Sequence, residues 1–333
     1  MAGNNKKKSA LASNPIVKAI GGQRLIVICV IIALFAFFCI KSPAFRQYST
    51  ILSILDYSYY ISFMAIGVTL ALITGGNDLS IGTGMVCYAL VGGFFVTKLG
   101  VPVVVGMLVV LIMGALMGTL NGFLVAILNL PPFIATLSTM MIARGLGSLL
   151  TGGLSITWPQ ASAADGWFRS IFKITVGEMK LPLGFVWVVL LIIVMSIFLN
   201  KTKPGRYIIA IGSNKEATRL SGVNVVKWHM LAYIICGVFT GLAGIAYAAT
   251  FQAIAPGTGA GLELDAIAGA IIGGTSMTGG SGSIVGTILG VFVMSMLKTG
   301  LPFVGLQANW QQIITGLVLI AAVFIDVVRT KKH

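Results

Sequence analysis

Long apolar runs separated by short polar connectors are the dominant pattern of this 333-residue sequence. Several runs approach the roughly 20 residues that a helix needs to cross a bilayer core. The apolar segments cover approximately 25–40, 57–74, the stretch from the break at 75–82 to 96, 103–128, 133–150, 183–199, 228–250, 263–272, 284–297 and 310–328. The eighth segment, 263–272, would rise only about 15 Å as a helix, half of a core of about 30 Å. The pattern therefore predicts an all-α, polytopic membrane protein with about ten transmembrane helices, at least one of them a broken or half helix.

Two glycine-rich interruptions divide the apolar pattern, and their surroundings are similar to each other. The sequence DLSIG at 78–82 resembles LDAIAG at 264–269, and GALMGTLNG at 114–122 resembles GSIVGTILG at 282–290. An odd number of predicted spans separates the two copies, so they would lie in opposite orientations in the membrane. Inverted repeats with interrupted helices are typical of transporters, and the interruptions point to the transport pathway.

The stretch 201–227 is polar and basic, in contrast to the apolar runs on either side. Ser213 and Glu216 have the S-x-x-E spacing of a capping box, which satisfies free backbone N–H groups at a helix start. Gly222 lies where the end of such a helix needs a residue that tolerates positive φ. The pattern predicts a short helix at 214–221 on the membrane surface. This element is either an ordinary connecting loop or a surface that contacts a partner outside the membrane.

Composition and charge support the membrane assignment and orient the chain. Hydrophobic residues make up 57% of the sequence and charged residues 9%, against about 25% charged residues in soluble domains. The net charge of +14 does not indicate nucleic-acid binding, because the basic residues cluster beside the spans without interleaved aromatic residues. Most of them fall on the side of the N-terminus, which predicts cytoplasmic termini. The expected organisation is a basic cytoplasmic tail at 1–22, a transmembrane domain at 23–328 with a cytoplasmic loop at 200–227 and an external loop at 151–182, and a cytoplasmic tail at 329–333.

Three carboxylates lie beside the interruptions of the apolar pattern: Asp78, Glu263 and Asp265. An ionisable side chain at membrane depth is costly unless it is paired or faces water. These carboxylates could line a transport pathway or latch a gate, and they could also cap helix starts by interacting with free N–H groups and the helix dipole. Arg144, alone in its apolar span, either extends to the outer interface or pairs with one of these acids.

Other polar side chains within the spans could bind a polyhydroxylated solute or hydrogen-bond across helices. They include Asn121, Thr136, Ser138 and Thr139. The sequence contains no phosphate-binding G-x-x-x-x-G-K-[ST] motif, no Ser/His/Asp or Cys/His set and no metal-ligand cluster. We therefore expect no catalytic residue, no metal and no cofactor on this chain. If ATP drives transport, it is hydrolysed on another chain, and the helix at 214–221 is the candidate for contacting that chain.

Several long motifs resemble bacterial ABC permeases for sugars and occur in the order found in that family. They are GGNDLSIG at 75–82, PFIATLSTMMIARGL at 132–146, GRYIIAIGSNKEATRLSGVNV at 205–225 and LELDAIAGAIIGGTSMTGGSGSIVGTILG at 262–290. The resemblance extends from about 45 to 328, and it is to the monosaccharide branch of the permeases that also include branched-chain amino-acid importers. The motifs are more similar to ribose members than to galactose members. Asn77, where the family usually has Ile, and Met277-Thr278 depart from the pattern.

The resemblance implies a permease subunit, not an enzyme, in the bacterial plasma (inner) membrane. Its expected function is ATP-driven import of a monosaccharide, ribose or a related sugar, by alternating access. Permeases for galactose, xylose, inositol or an autoinducer-2-type furanose are the alternatives within the family, and an ion-coupled secondary transporter is the alternative outside it. The implied partners are an identical or homologous second permease chain, two ATP-binding cassette domains that hold ATP and Mg²⁺, and an external or periplasmic sugar-binding protein.

The motifs and the resemblance together identify two sets of candidate residues. The set expected to couple to the ATPase is Ser213, Asn214, Glu216, Ala217, Arg219, Leu220, Ser221 and Gly222. The set expected to line the translocation pathway or its gate is Asn77, Asp78, Ser80, Asn121, Phe133, Thr136, Thr139, Glu263, Asp265 and Thr275.

Overall fold

The computed structural model describes residues 22–177 and 179–330, which form a helical bundle with one small β-hairpin. All but the last residue of the predicted tail 1–22, and residues 331–333 of the predicted tail 329–333, lie outside the described residues. The helices are α1 (Gly22–Lys41), α2 (Tyr48–Ile73), α3 (Ile81–Lys98), α4 (Val103–Gly122), α5 (Pro132–Thr151), α6 (Leu183–Lys201), α7 (Lys203–Ser213), α8 (Lys215–Leu220), α9 (Val225–Thr250), α10 (Leu262–Ile272), α11 (Ile284–Gly300) and α12 (Ala308–Thr330). Strands β1 (Ile174–Val176) and β2 (Met179–Leu181) pair antiparallel, and Phe123–Ile127 extends α4 as a π-helical turn.

Nine helices of the described chain are long and apolar enough to cross a membrane. They are all of the helices except α7, α8 and α10. Helix α10 has 11 residues and rises about 16 Å, too little for a full crossing. The predicted all-α polytopic fold with an incomplete eighth segment is therefore confirmed.

Three stretches contain more regular structure than the apolar pattern predicts. Helix α2 begins at Tyr48, well before the predicted 57, because its polar first turns pack against other parts of the chain. The loop 151–182 contains the 3₁₀ helix Ala164–Ile171 and the β-hairpin. The loop 200–227 contains α7, whose start is capped by Thr202 through a hydrogen bond from the Gly205 N–H. These elements lack the long apolar runs by which the spans were identified.

Helices α2 and α9 pack antiparallel at the centre of the bundle. The Tyr60 ring contacts the Tyr247 ring, and farther along the pair Gly67 touches the Cys236 backbone. Helix α2 also packs against α10 and α11, whereas α9 packs against α3 and α4. This reciprocal exchange of partners is the arrangement expected when α2–α4 and α9–α11 are inverted repeats.

Glycines allow the α4 and α9 backbones to touch. A Cβ atom on Gly114 would lie 2.3 Å from the Gly237 carbonyl oxygen, and one on Gly118 would lie 2.4 Å from the Tyr233 carbonyl oxygen. Both distances are shorter than any real Cβ contact, so neither position has room for a side chain. Small residues four apart on a helix let two membrane helices pack closely in this way.

The bundle has two ends that are distinguished by their connections. At the end here named the basic end (74–80, 202–224 and 273–283), the Gly280 N–H donates to the Ile73 carbonyl oxygen over 2.9 Å. At the opposite end, named the hairpin end (152–182 and 251–261), Ile156 and Ile254 form an antiparallel bridge. The Tyr48 hydroxyl donates to the Lys180 carbonyl oxygen at 2.6 Å, so α2 runs from the hairpin end to the basic end.

Candidate functional site

A buried polar cluster lies at the basic end, where the chain is interrupted between α2 and α3. The Asp78 carboxylate accepts hydrogen bonds from the Ser80 N–H (2.9 Å), the Ser80 hydroxyl (2.6 Å) and the Asn121 amide (3.2 Å). The Asn121 amide also donates to the Ser80 hydroxyl at 2.9 Å and accepts from Thr139 at 2.7 Å. All four residues are buried. The cluster therefore ties the interruption to α4 and α5.

Thr136 adds a second connection between α5 and the interruption. Its hydroxyl accepts from the Leu79 N–H at 3.2 Å and lies 3.3 Å from the Asn77 carbonyl oxygen, to which it donates. The Asn77 side-chain oxygen is buried and has no hydrogen-bond partner among the described residues. Six of the predicted pathway residues thus lie together, and the hydrogen bonding across helices expected for such groups is present.

Glu263 and Asp265, on the first turn of α10, form a second cluster. The Asp265 carboxylate accepts from the Tyr57 hydroxyl at 2.6 Å and forms an ion pair with Lys298 at 3.3 Å. The Glu263 carboxylate accepts from the Gly261 N–H at 3.0 Å, just before α10 begins. Both acids are thus paired within the bundle. A Cβ atom on Gly82, in the first turn of α3, would lie 2.2 Å from a carboxylate oxygen of Glu263, so the start of α10 adjoins the segment that holds the Asp78 cluster.

Three other candidates lie outside both clusters. Phe133 is 57% exposed on the surface of α5. Thr275 is buried in the segment after α10, where its hydroxyl lies 3.4 Å from that of Thr287. Arg144 is exposed on α5, and no described carboxylate lies within ion-pair distance of it, so the expected pairing with an acid is not found.

Tyr57 and Lys298 are site residues that the sequence pattern did not identify. Each is more than 30 residues away from Asp265 in sequence. A tyrosine or lysine near the end of a span usually anchors the helix at the membrane interface. Only the fold shows that both side chains meet the same carboxylate.

The short helix predicted at 214–221 exists as α8, but a different residue caps it. The Asn214 side-chain oxygen accepts the Ala217 N–H at 2.9 Å. Ser213 is the last residue of α7, and its hydroxyl donates to the Ile209 carbonyl oxygen within that helix. Glu216 pairs instead with Arg219 at 2.5 Å. The Ser213–Glu216 capping box is therefore wrong, because a helical residue cannot adopt the extended backbone of an N-cap.

Helix α8 presents an almost entirely exposed surface at the basic end. All eight residues of the predicted coupling set are exposed: Ser213, Asn214, Glu216, Ala217, Arg219, Leu220, Ser221 and Gly222. Thr218 is the buried residue of the helix and faces the protein. Leu220 is 79% exposed, a large apolar side chain among charged ones. Gly222 has φ +80°, as predicted for the residue that ends the helix.

A single residue, Asn214, connects α8 to α7. Helix α7 in turn contacts the end of α2. A Cβ atom on Gly212 would lie 1.7 Å from the Ile73 carbonyl oxygen and 2.4 Å from the Gly280 nitrogen. The backbone of α7 therefore touches both the end of α2 and the segment 273–283, here named the glycine loop. A displacement of α8 would reach both elements through this contact.

The glycine loop is connected to the first and last helices as well. The Asp326 carboxylate of α12 accepts from the Met277 N–H at 3.0 Å and the Ser276 hydroxyl at 3.2 Å. The Arg24 guanidinium of α1 donates to the Ser283 hydroxyl at 3.0 Å. Within the described part of the chain, no group of His, Cys, Asp or Glu could hold a metal ion. The arrangement is suited to mechanical linkage between helices.

Comparison with known proteins finds import permeases for several sugars. The ribose import permease protein RbsC of Escherichia coli (strain K12) is 36% identical over 312 residues, covering 91% of this chain and 92% of the relative. The fructose import permease protein FruG of Bifidobacterium longum (strain NCC 2705) is 34% identical over 277 residues, covering 82% and 80%. The galactose/methyl galactoside import permease protein MglC of Haemophilus influenzae is 33% identical over 320 residues, covering 91% and 94%.

No solved structure matches the chain at a significant level. The sequence profile described as branched-chain amino acid transport system / permease component matches residues 50–323, which include both interruptions, α8 and the glycine loop. Nine helices among residues 22–177 and 179–330 are long and apolar enough to cross a membrane, and the relatives are import permeases, so the chain is a multi-pass membrane protein. The chain belongs to the family of branched-chain amino acid transport system permease components.

Proposed function

We propose that the chain is the membrane-spanning subunit of an ATP-driven importer for a monosaccharide, ribose or a closely related sugar. The relatives named above are import permeases for ribose, fructose and galactose, and ribose permeases are among the most similar of them. The working unit would contain a second permease chain, two ATP-binding cassette domains that bind ATP and Mg²⁺, and an external sugar-binding protein.

The observation that carries this proposal is the exposed, capped helix α8. A helix of six residues is too short to be stable alone in water, so its cap and its buried Thr218 must hold it in place. A large apolar side chain exposed among charged ones, as Leu220 is, is suited to fill a pocket on a partner. We propose that this partner is the ATP-binding cassette domain.

The linkage from α8 to the bundle suggests how ATP hydrolysis would drive transport. Movement of a docked α8 would displace α7, because Asn214 alone separates the two helices. Gly212 would transmit the displacement to Ile73 at the end of α2 and to Gly280 in the glycine loop. The Asp78 cluster begins five residues after Ile73, so the same movement would reach the interruption between α2 and α3.

The charge distribution supports one orientation in the membrane. The basic end would face the cytoplasm, with both termini, because cytoplasmic loops carry an excess of Lys and Arg. The hairpin end would face the outside of the bacterial plasma membrane and receive the sugar-binding protein.

Uptake in membrane vesicles tests whether ATP or an ion gradient drives transport. Vesicles that contain the permease, its ATPase and its binding protein should take up ribose when ATP is present on the cytoplasmic side, and a protonophore should not reduce the rate. Uptake that continues without ATP and is abolished by the protonophore would support an ion-coupled transporter and overturn the proposal.

Co-purification tests the docking of α8. Leu220→Asp should reduce recovery of the ATPase with the permease at least tenfold, because a carboxylate cannot enter an apolar pocket. The matched control is Leu154→Asp at the hairpin end, where the leucine is 71% exposed, and this variant should retain the ATPase. Normal recovery with Leu220→Asp would remove α8 as the docking element.

A further inference from the structure

A groove on the outside of the bundle lies between α1 and α12. Its volume is about 590 Å³, and residues of α1, α10, α11 and α12 line it. The lining residues Val27 and Val293 are buried, whereas Ile26 and Ile325 are 65% and 57% exposed. The groove therefore has a closed floor and an open rim, and it faces away from the centre of the bundle.

The two helices that form the rim have the composition of lipid-facing helices. The most apolar stretches of α1 and α12 have mean hydropathies of 2.6 and 2.1, and only 11% of each is buried. A groove between them is therefore open to the hydrocarbon of the bilayer. Its volume is within the range of about 300–1,000 Å³ that is typical of small-molecule sites.

The groove is apolar along its length and polar at one end. Its lining residues are all apolar except Gln23 and Asp326. Both of these contact the glycine loop: Asp326 accepts from the Met277 N–H, and the Gln23 amide lies 2.6 Å from the Cβ position of Gly274. Between Gln23 and Leu34, which also lines the groove, α1 rises about 17 Å, close to half of a core of about 30 Å. The groove thus has the length and the polarity of a lipid in one leaflet.

Positive charge lies beside the polar end of the groove. The Arg24 guanidinium, next to Gln23, donates to the Ser283 hydroxyl at 3.0 Å and forms no ion pair with a described carboxylate. A guanidinium has five donors in a planar fork, which matches the oxygens of a phosphate. The sequence has further cations close to the beginning of α1 and the end of α12: Lys18, Arg329, Lys331 and Lys332.

The acidic group of the lining does not reverse this balance of charge. The Asp326 carboxylate accepts hydrogen bonds from the Ser276 hydroxyl and the Met277 N–H, which offset part of its charge. The cations near the two helix ends outnumber it. Basic pockets between membrane helices on the cytoplasmic side favour anionic lipid headgroups.

We propose that the groove between α1 and α12 binds an acyl chain of an anionic phospholipid, with the phosphate of the lipid at Arg24. The lipid would come from the cytoplasmic leaflet, and this choice of leaflet alone rests on the orientation proposed above. Arg24 and Asp326 both hydrogen-bond to the glycine loop. A lipid between their helices would therefore limit the movement of that loop beside its contact with α7.

Lipid retention by the purified full-length chain tests the headgroup contact. The detergent-solubilised chain is incubated with phosphatidylglycerol or with phosphatidylcholine of identical acyl chains, and bound lipid is counted by native mass spectrometry. We expect about fivefold more phosphatidylglycerol, the scale of one cation acting on an anionic headgroup. Arg24→Gln should abolish this preference, whereas Lys41→Gln at the other end of α1 should keep it. Equal retention of the two lipids by the unaltered chain, or an unchanged preference in Arg24→Gln, would overturn the contact.

Photo-crosslinking in lipid nanodiscs tests the position of the acyl chain. Phosphatidylglycerol with a diazirine in its acyl chain should label Val30 on α1 and Val318 on α12, which both line the groove. Ala322→Trp would fill the groove and should lower this labelling about fivefold. The matched control is Gly316→Trp on the same helix, where a Cβ atom would meet nothing within 4 Å, and it should label normally.

Two outcomes of the crosslinking would overturn the proposal. Labelling spread evenly over all lipid-facing helices, and unaffected by Ala322→Trp, would show ordinary contact with the bilayer and no site. Stronger labelling after deletion of residues 1–18 would show that the N-terminal segment of the chain fills the groove in place of a lipid.

Discussion

The contact between Gly212 and the end of α2 leads to the sharpest prediction. An alanine at this position would place its Cβ 1.7 Å from the Ile73 carbonyl oxygen, whereas ordinary van der Waals contact begins at 3.4 Å. Helix α7 would therefore have to move away by about 1.7 Å. The Ile73 carbonyl oxygen and the Gly280 nitrogen cannot move aside, because they are backbone atoms hydrogen-bonded to each other. Overpacking of this kind typically costs about 1–3 kcal/mol.

Retreat of α7 would interrupt the linkage between α8 and the bundle without altering the exposed face of α8. We expect Gly212→Ala to retain the ATPase on co-purification and to lose ribose uptake by about tenfold or more, since about 2 kcal/mol corresponds to roughly a thirtyfold change in an equilibrium. The assay compares ATPase recovery, ATP hydrolysis and uptake in the same reconstituted complexes. Hydrolysis should continue while uptake falls, which is the signature of uncoupling.

The control for added bulk is Gly316→Ala on α12, where a Cβ atom would meet nothing within 4 Å. This variant should behave like the unaltered protein in all three measurements. The reasoning is refuted if Gly212→Ala takes up ribose at the normal rate. It is also refuted if Gly212→Ala loses the ATPase, because α7 would then serve to hold α8 and not to transmit its movement.

Three further predictions concern the caps and the buried clusters. Asn214→Ala should destabilise α8 by about 1 kcal/mol and weaken ATPase binding about fivefold. Ser213→Ala should leave ATPase binding unchanged. Equal effects of the two substitutions in a titration of ATPase affinity would contradict the assignment of Asn214 as the cap. Lys298→Met should lower the free energy of unfolding by about 3–5 kcal/mol, because the fully buried Asp265 loses its counter-ion; adding Asp265→Asn should recover part of this loss in thermal unfolding of the detergent-solubilised chain. Asn121→Ala should cost about 1–3 kcal/mol in the same measurement, since the donor to the buried carboxylate cluster is lost, and an unchanged midpoint would show that the cluster contributes nothing to stability.

The two acidic clusters show which features the sequence pattern identified and which it did not. The pattern singled out Asp78, Glu263 and Asp265, because charges beside glycine-rich interruptions stand out in an apolar chain. It did not show that the start of α10, with Glu263, lies against the start of α3 at Gly82, and it did not identify Lys298 as the partner of Asp265. Ion pairs and hydrogen bonds between distant segments leave no local periodicity, so they become visible only when helices are placed beside one another.

The number of spans, the incomplete eighth segment and the position of the surface helix α8 were determined by the sequence itself. Each depends on a local property: the length of an apolar run, its interruption by glycine, or a polar stretch between two runs. Only the tertiary structure decided that Asn214 and not Ser213 caps α8, because the outcome depends on where α7 ends. The contact of Gly212 with the end of α2 likewise required the packed bundle. Sequence fixes what each segment can bury, whereas packing decides which backbone atoms meet and which polar faces remain uncovered.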